Sequence, residues 1–129
     1  MRLVAVVLGG ALGSGARYLL QGWVQQRASA HSGWVAIFPV GTLAVNLTGC
    51  FAIGVLATLF QERLLVSPEA RTFVLLGLLG GFTTFSSFGF ETLALARGGS
   101  FLLALGNVLA SVVLGLAGVW LGTALARLG

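Results

Sequence analysis

Residues 77–91 read GLLGGFTTFSSFGFE and hold the densest set of side chains suited to chemistry. Four hydroxyls (Thr83, Thr84, Ser86, Ser87) alternate with phenylalanines at helical spacing (Phe82, Phe85, Phe88), directly after the glycine pair Gly80-Gly81. Hydroxyls donate and accept hydrogen bonds without carrying charge. Phenyl rings present positive edges and negative faces. Together they describe a neutral place in which something polar is held. Adjacent glycines raise the cost of an unbroken helix. At membrane depth an opened backbone persists only where protein buries it or it lines a polar cavity. An interruption is therefore expected near residues 80–83.

What must position this stretch follows from composition. The chain has 129 residues, 57% hydrophobic and 8% charged, with mean hydropathy +1.03. A soluble domain carries about 25% charged residues, so the composition points to an all-α integral membrane protein. The formal charge is +4, from seven arginines and no lysine. They are scattered singly between apolar runs, which argues against a nucleic-acid surface. The lone Cys50 excludes an intrachain disulfide. Met1-Arg2 and the apolar run behind it imitate a signal peptide, but three more apolar segments follow, so a retained first helix is expected.

Four segments can span, at about residues 3–23, 40–60, 70–97 and 101–125, within a single four-helix transmembrane unit of residues 1–129. On the first, Gly9 and Gly13, with Gly10 and Ser14 beside them, form small-xxx-small pairs suited to close helix contact. Arg17 near its end either snorkels to the interface or lends positive potential to a cavity. The connection of residues 24–37 is bracketed by Trp23 and Trp34, as in an aromatic belt, and His31 within it is expected to be a solvated loop residue. On the second segment Thr42, Asn46 and Cys50 share a face. Asn46 needs partners there, whether as a structural bond between helices or as part of a pore lining. Ser67-Pro68 resembles a helix start. Glu91 is expected near headgroup level, either functional or paired with Arg97 or another arginine. Asn107, Ser111, Gly115, Gly118 and Gly122 give the fourth segment a small, polar-dotted face.

An even number of spans places both termini and the connection between spans two and three on one side. That side holds Arg2, Arg63, Arg71 and Arg127 against Arg27, Arg97 and nearby Arg17 on the other. So small an imbalance leaves orientation poorly committed. Four helices also make a thin bundle, which suggests a homo-oligomer, most simply a dimer.

The motifs GTLAVNLTGCFAIG (residues 41–54) and GLLGGFTTFSSF (77–88), with GGALGSGARY (9–18) and GNVLASVVLG (106–115), resemble the Fluc, or CrcB-type, fluoride channel family over essentially the whole chain. The resemblance implies an antiparallel dual-topology homodimer in the plasma membrane, with two anion pores and a sodium ion on the two-fold axis. By the same resemblance Phe85 and Phe88 line the fluoride path, and Asn46 and Ser111 are its polar residues. Gly80 and Thr83 supply carbonyls to the sodium, and Arg17 and Glu91 match positions of vestibular or structural role. Ser87 replaces a common threonine, and Gly115 stands where some relatives carry a second hydroxyl.

Fluoride holds its water tightly, so a conducting path must replace hydration in stages and still let the ion leave. Neutral donors from Asn46, Ser111, Thr84 and Ser87, with the ring edges of Phe85 and Phe88, meet that requirement. Two rivals share the architecture: a small dimeric proton-coupled multidrug exporter and a non-transporting membrane subunit. The exporter needs a deep carboxylate, which the midsections of the first three spans lack. No nucleophile with a base, metal cluster or phosphate loop points to an enzyme.

Overall fold

The structure, a computed structural model, describes residues 1–128. All regular secondary structure among the described residues is helical, with no strand. Helix α1 covers Arg2–Ser29 and the short α2 Trp34–Ile37; α3 runs Val40–Glu62. The third span is composite: α4 (Pro68–Arg71), a π-helical run Thr72–Leu78, α5 (Leu79–Phe82) and, after a gap, α6 (Phe85–Arg97). Helix α7 covers Phe101–Leu128. Arg2–Ser29, Val40–Glu62, Pro68–Arg97 and Phe101–Leu128 are each long and apolar enough to cross a membrane.

Local chemistry explains the boundaries. Ser67 caps α4 by accepting the Ala70 N–H at 3.2 Å, with Pro68 at the first helical position. Gly99, at φ 82°, turns the chain between α6 and α7 in the left-handed region that glycine occupies without strain. The first helix continues six residues beyond the expected end at residue 23. Length in hydrocarbon sets how much chain must be apolar, not where the helix stops. Its final turns carry Gln21 and Gln25, whose amides bind α3. His31 is exposed, as expected of a loop residue, with Nδ1 3.0 Å from the Arg27 carbonyl.

Small residues let the backbones touch. Gly9 and Gly13 of α1 lie against the π-helical run and α5: a Cβ on Gly9 would stand 2.5 Å from the Phe73 carbonyl oxygen, and one on Gly13 2.0 Å from that of Leu78. Gly54 and Gly122 do the same between α3 and α7, where their Cβ atoms would stand 2.3 Å from Val119 O and 2.4 Å from Phe51 O. Without a hydrophobic drive between helices in lipid, such contacts supply the association. Gly13→Ala is therefore expected to destabilise the protein by about 1–3 kcal/mol or more, because backbone cannot yield as a side chain does. Gly15→Ala, with nothing within 4 Å, serves as its neutral control. Thermal unfolding in detergent checks the pair; equal midpoints would contradict the contact.

Ion pairs fix the ends. Arg2 lies 3.9 Å from Glu69, and Arg127 grips Glu62 at 2.7 Å. The N-terminus, the α3–α4 connection and the end of α7 thus meet at one end of the bundle, as four antiparallel crossings require.

The third span does break, slightly later than the glycines suggest. Gly80 and Gly81 are helical within α5, and the extended residues are Thr83 (φ −82°, ψ 158°) and Thr84 (φ −148°, ψ 115°). β-Branched threonine tolerates extended backbone well. Gly81 serves contact instead: its Cβ would stand 2.5 Å from the Gly10 carbonyl oxygen. Nothing in the residue types explains the π-helical run before it.

Candidate functional site

The break opens a groove of about 380 Å³ between α3, α5, α6 and α7. Its polar wall is Asn46, Thr83, Thr84 and Ser111; Gly80, Phe85 and Phe88 complete it, and no charged side chain lines it. Helix α3 brings Asn46 and Cys50 to the groove one turn apart, and α7 brings Ser111 across from them. A Cβ on Gly115 would meet Cys50 Sγ at 3.4 Å, and Gly115 brings no hydroxyl to this face of α7.

Asn46 holds the break open. Thr84 N–H, which in a continuous helix would bond to the Gly80 carbonyl, donates instead to Asn46 Oδ1 at 2.8 Å. Asn46 Nδ2 returns a bond to the Thr84 carbonyl at 2.9 Å. The amide thus replaces a peptide neighbour for one residue, and its second N–H stays available to the groove. Thr84 then caps α6 by accepting the Ser87 N–H at 3.2 Å, and its hydroxyl donates to Ser87 Oγ at 3.0 Å. Both bonds position the first turn of α6, which carries the rings.

Phe85 and Phe88 sit with centroids 5.4 Å apart and planes at 44°. Phe85 is 82% exposed in the single chain, although it lies at the break. Behind Phe88, the buried Asn107 donates to Thr92 Oγ1 at 2.9 Å, and Thr92 donates to the Phe88 carbonyl at 2.7 Å. This pair locks α6 to α7 at the height of the rings.

Of the residues singled out by sequence, the groove gathers Asn46, Gly80, Thr83, Thr84, Phe85, Phe88 and Ser111. Ser87 stands behind it as the partner of Thr84. Arg17 is half-buried and forms no hydrogen bond or ion pair among the described residues. Of the two readings left open for Glu91, the pairing with an arginine is not formed among the described residues. Glu91 Oε1 accepts from Thr42 Oγ1 at 2.8 Å, its Oε2 is buried without a partner, and Arg97 is not bound to it. The carboxyl is turned into the bundle rather than out to the interface, because α6 presents this residue to α3.

Glu91 lines a second cavity of about 490 Å³ at the α1–α3–α6 end of the molecule, together with Gln21, Gln25 and Ser100. Sequence reasoning placed Gln25 in a loop and passed over Gln21. Their i, i+4 spacing at the end of an apolar segment was the available signal. Gln25 accepts the Gly41 N–H at 3.1 Å and donates to the Phe38 carbonyl at 3.3 Å. Gln21 donates to Thr42 at 3.0 Å.

Residues 4–123 match the family described as CrcB-like protein, Camphor Resistance (CrcB). Among similar proteins, a Fluoride-specific ion channel FluC of Solibacter usitatus is 50% identical over 127 residues, covering 98% of this chain and 99% of the relative. A protein of the same name from Roseiflexus sp. is 48% identical over 127 residues, with 98% of each chain covered. Another, from Opitutus terrae, is 52% identical over 119 residues, covering 91% of this chain and 86% of the relative.

Proposed function

The chain belongs to the CrcB-like family, and on that premise we propose that it is a passive, fluoride-selective channel that releases fluoride across the cell membrane and so relieves fluoride toxicity. The observation that carries the reading is the groove at the break, where neutral polar side chains and two phenyl rings meet with no charged side chain among the described residues. A fixed cation there would trap a small anion and a carboxylate would repel it; dipoles and ring edges replace its water and release it. Asn46 and Ser111 offer donors on facing walls, and Phe85 and Phe88 extend the path along α6. A proton-coupled exporter would need an acid in this groove, and Glu91 lies outside it, bound to Thr42.

The working unit in this reading is an antiparallel homodimer of dual topology, embedded in lipid. Its support is the exposure of Phe85, which a second copy would cover, together with the weak arginine bias between the two sides. A sodium ion at the two-fold axis fits the residues present. The Gly80 carbonyl loses its helical donor to Asn46, and the Ser87 N–H goes to Thr84 Oγ1 rather than to the Thr83 carbonyl. Gly80 also has open space where a side chain would stand. Carbonyl oxygens of Gly80 and Thr83, doubled by a second copy, suit a hard monovalent cation. Bound there, the ion would hold the two breaks together by charge.

Purified protein in liposomes loaded with fluoride or chloride tests the reading. Fluoride is expected to leave with no proton gradient while chloride stays inside. Retention of both ions, or loss of fluoride that requires a proton gradient, would overturn it.

A further inference from the structure

Four threonines bond in the same way. Thr48, Thr58, Thr83 and Thr92 each donate to the carbonyl four residues back, at 2.7, 2.7, 3.1 and 2.7 Å. That back-bond is the ordinary resort of a helical hydroxyl with no water near it. Thr42 departs from it and donates to Glu91 Oε1 at 2.8 Å. Thr42 is the third residue of α3, and Phe38, four residues back, is extended (φ −74°, ψ 137°), so no helical carbonyl stands where its hydroxyl could back-bond. The Phe38 carbonyl instead accepts the Gln25 amide at 3.3 Å and the Val40 N–H at 2.8 Å. Gln21 meanwhile donates to Thr42 Oγ1 at 3.0 Å. A hydroxyl has one proton to give. With no helical acceptor in reach and a lone pair filled by Gln21, that proton is directed to the carboxyl.

We propose that Gln21 is a positioning residue for conduction: by filling a lone pair of Thr42 Oγ1 it aims the Thr42 proton at Glu91 and so holds the carboxyl aside where the path leaves the groove. The proposal rests on the fluoride-channel reading. Glu91 follows Phe88 by one helical turn and lines the second cavity, so an anion passing Phe88 meets this group next. Tethered through Oε1, the carboxyl keeps a fixed orientation. Released, it is free to turn acceptor oxygens into the path, where they repel an anion. The close fit of the device depends on Gly41, whose Cβ would stand 2.4 Å from the Gln21 carbonyl oxygen.

The test is a double-mutant cycle with two readouts. Gln21→Leu and Thr42→Val are each expected to lower fluoride efflux about ten-fold, the scale of one lost hydrogen bond. The double variant should be no slower than either single one, because both remove the same tether. Thr42→Ser, which keeps the hydroxyl, should restore efflux. The second readout is the infrared carboxyl band of Glu91. The chain has three acidic residues, all glutamates, so the band is assigned by its disappearance in Glu91→Gln. Gln21→Leu should move it to the position it takes in Thr42→Val. Gln21→Asn, too short to reach Thr42, is the milder variant should Gln21→Leu not fold, and the same displacement is expected of it. Multiplicative losses in the double variant, or a Glu91 band unmoved by the Gln21 changes, would overturn the proposal. A wild type that releases no fluoride would remove the channel reading and the conduction half of the proposal with it. The band would still decide whether Gln21 sets the carboxyl.

Discussion

Phe85→Ile and Phe88→Ile are each expected to lower fluoride efflux by about ten- to a hundred-fold while the protein stays folded and assembled. Isoleucine fills a comparable volume but carries no positive edge. An anion at that point would then face hydrocarbon on one side, and an unpaired charge in an apolar setting costs several kcal/mol. Each 1.4 kcal/mol is a factor of ten in rate. The fold should tolerate the change because Phe85 makes little of the chain's own interior, being 82% exposed. The Phe88 backbone is held by Thr92 and Asn107 whatever side chain it bears. Efflux from liposomes, read beside size-exclusion chromatography of the same preparations, separates lost conduction from lost assembly. Efflux within two-fold of wild type in both variants would remove the rings from the path. Tyrosine at Phe88 adds a discriminating case, since it retains the ring edge and should conduct better than isoleucine.

The rings were legible in the sequence because phenylalanines at i, i+3 stand beside a hydroxyl run at membrane depth, where a purely packing stripe would have apolar neighbours. The four spans were legible for a simpler reason, the length of apolar chain. What sequence could not give was the division of labour around the break. Glycine signals either an unusual backbone or a close contact, and here Gly81 is used for contact with Gly10 while Thr83 and Thr84 carry the extended conformation. Asn46 presented a similar choice between strut and pore wall; two bonds to one backbone residue make it a strut, and the same side chain lines the groove. For Glu91 sequence left an arginine partner and a functional role equally open, because pairing depends on which helix faces which. The neighbour across the bundle is Thr42, forty-nine residues away in sequence. Which group a polar side chain binds across the bundle leaves no local trace in spacing or propensity. The amide pair of Gln21 and Gln25 belongs to the same class, polar residues near a span end whose use is decided by the next helix.

Asn46→Ala carries the second large effect, and it reaches both stability and flux. Thr84 is buried, at 5% exposure, and its N–H and carbonyl are each bound to the Asn46 amide. Alanine leaves both without partners, at about 1–3 kcal/mol for each unsatisfied group. The chain has one local remedy. Thr84 N–H can return to the Gly80 carbonyl and extend α5, which turns the following residues by about 100° for each residue gained by the helix. That rotation carries Phe85 away from Ser111 and withdraws the Gly80 carbonyl from any cation. Efflux should therefore fall at least as far as in the phenylalanine variants, together with a lower unfolding midpoint. Asn46→Asp separates strut from donor. Its carboxylate still accepts the Thr84 N–H, but it has no N–H for the Thr84 carbonyl and sets a negative charge in the anion's path. It should keep more of the wild-type stability than alanine does, and still fail to conduct. Amide hydrogen exchange at Thr84, slow in wild type and fast in Asn46→Ala unless the helix closes, reports the break itself. Wild-type stability and flux in Asn46→Ala would mean that Thr83 and Thr84 hold their extended backbone unaided.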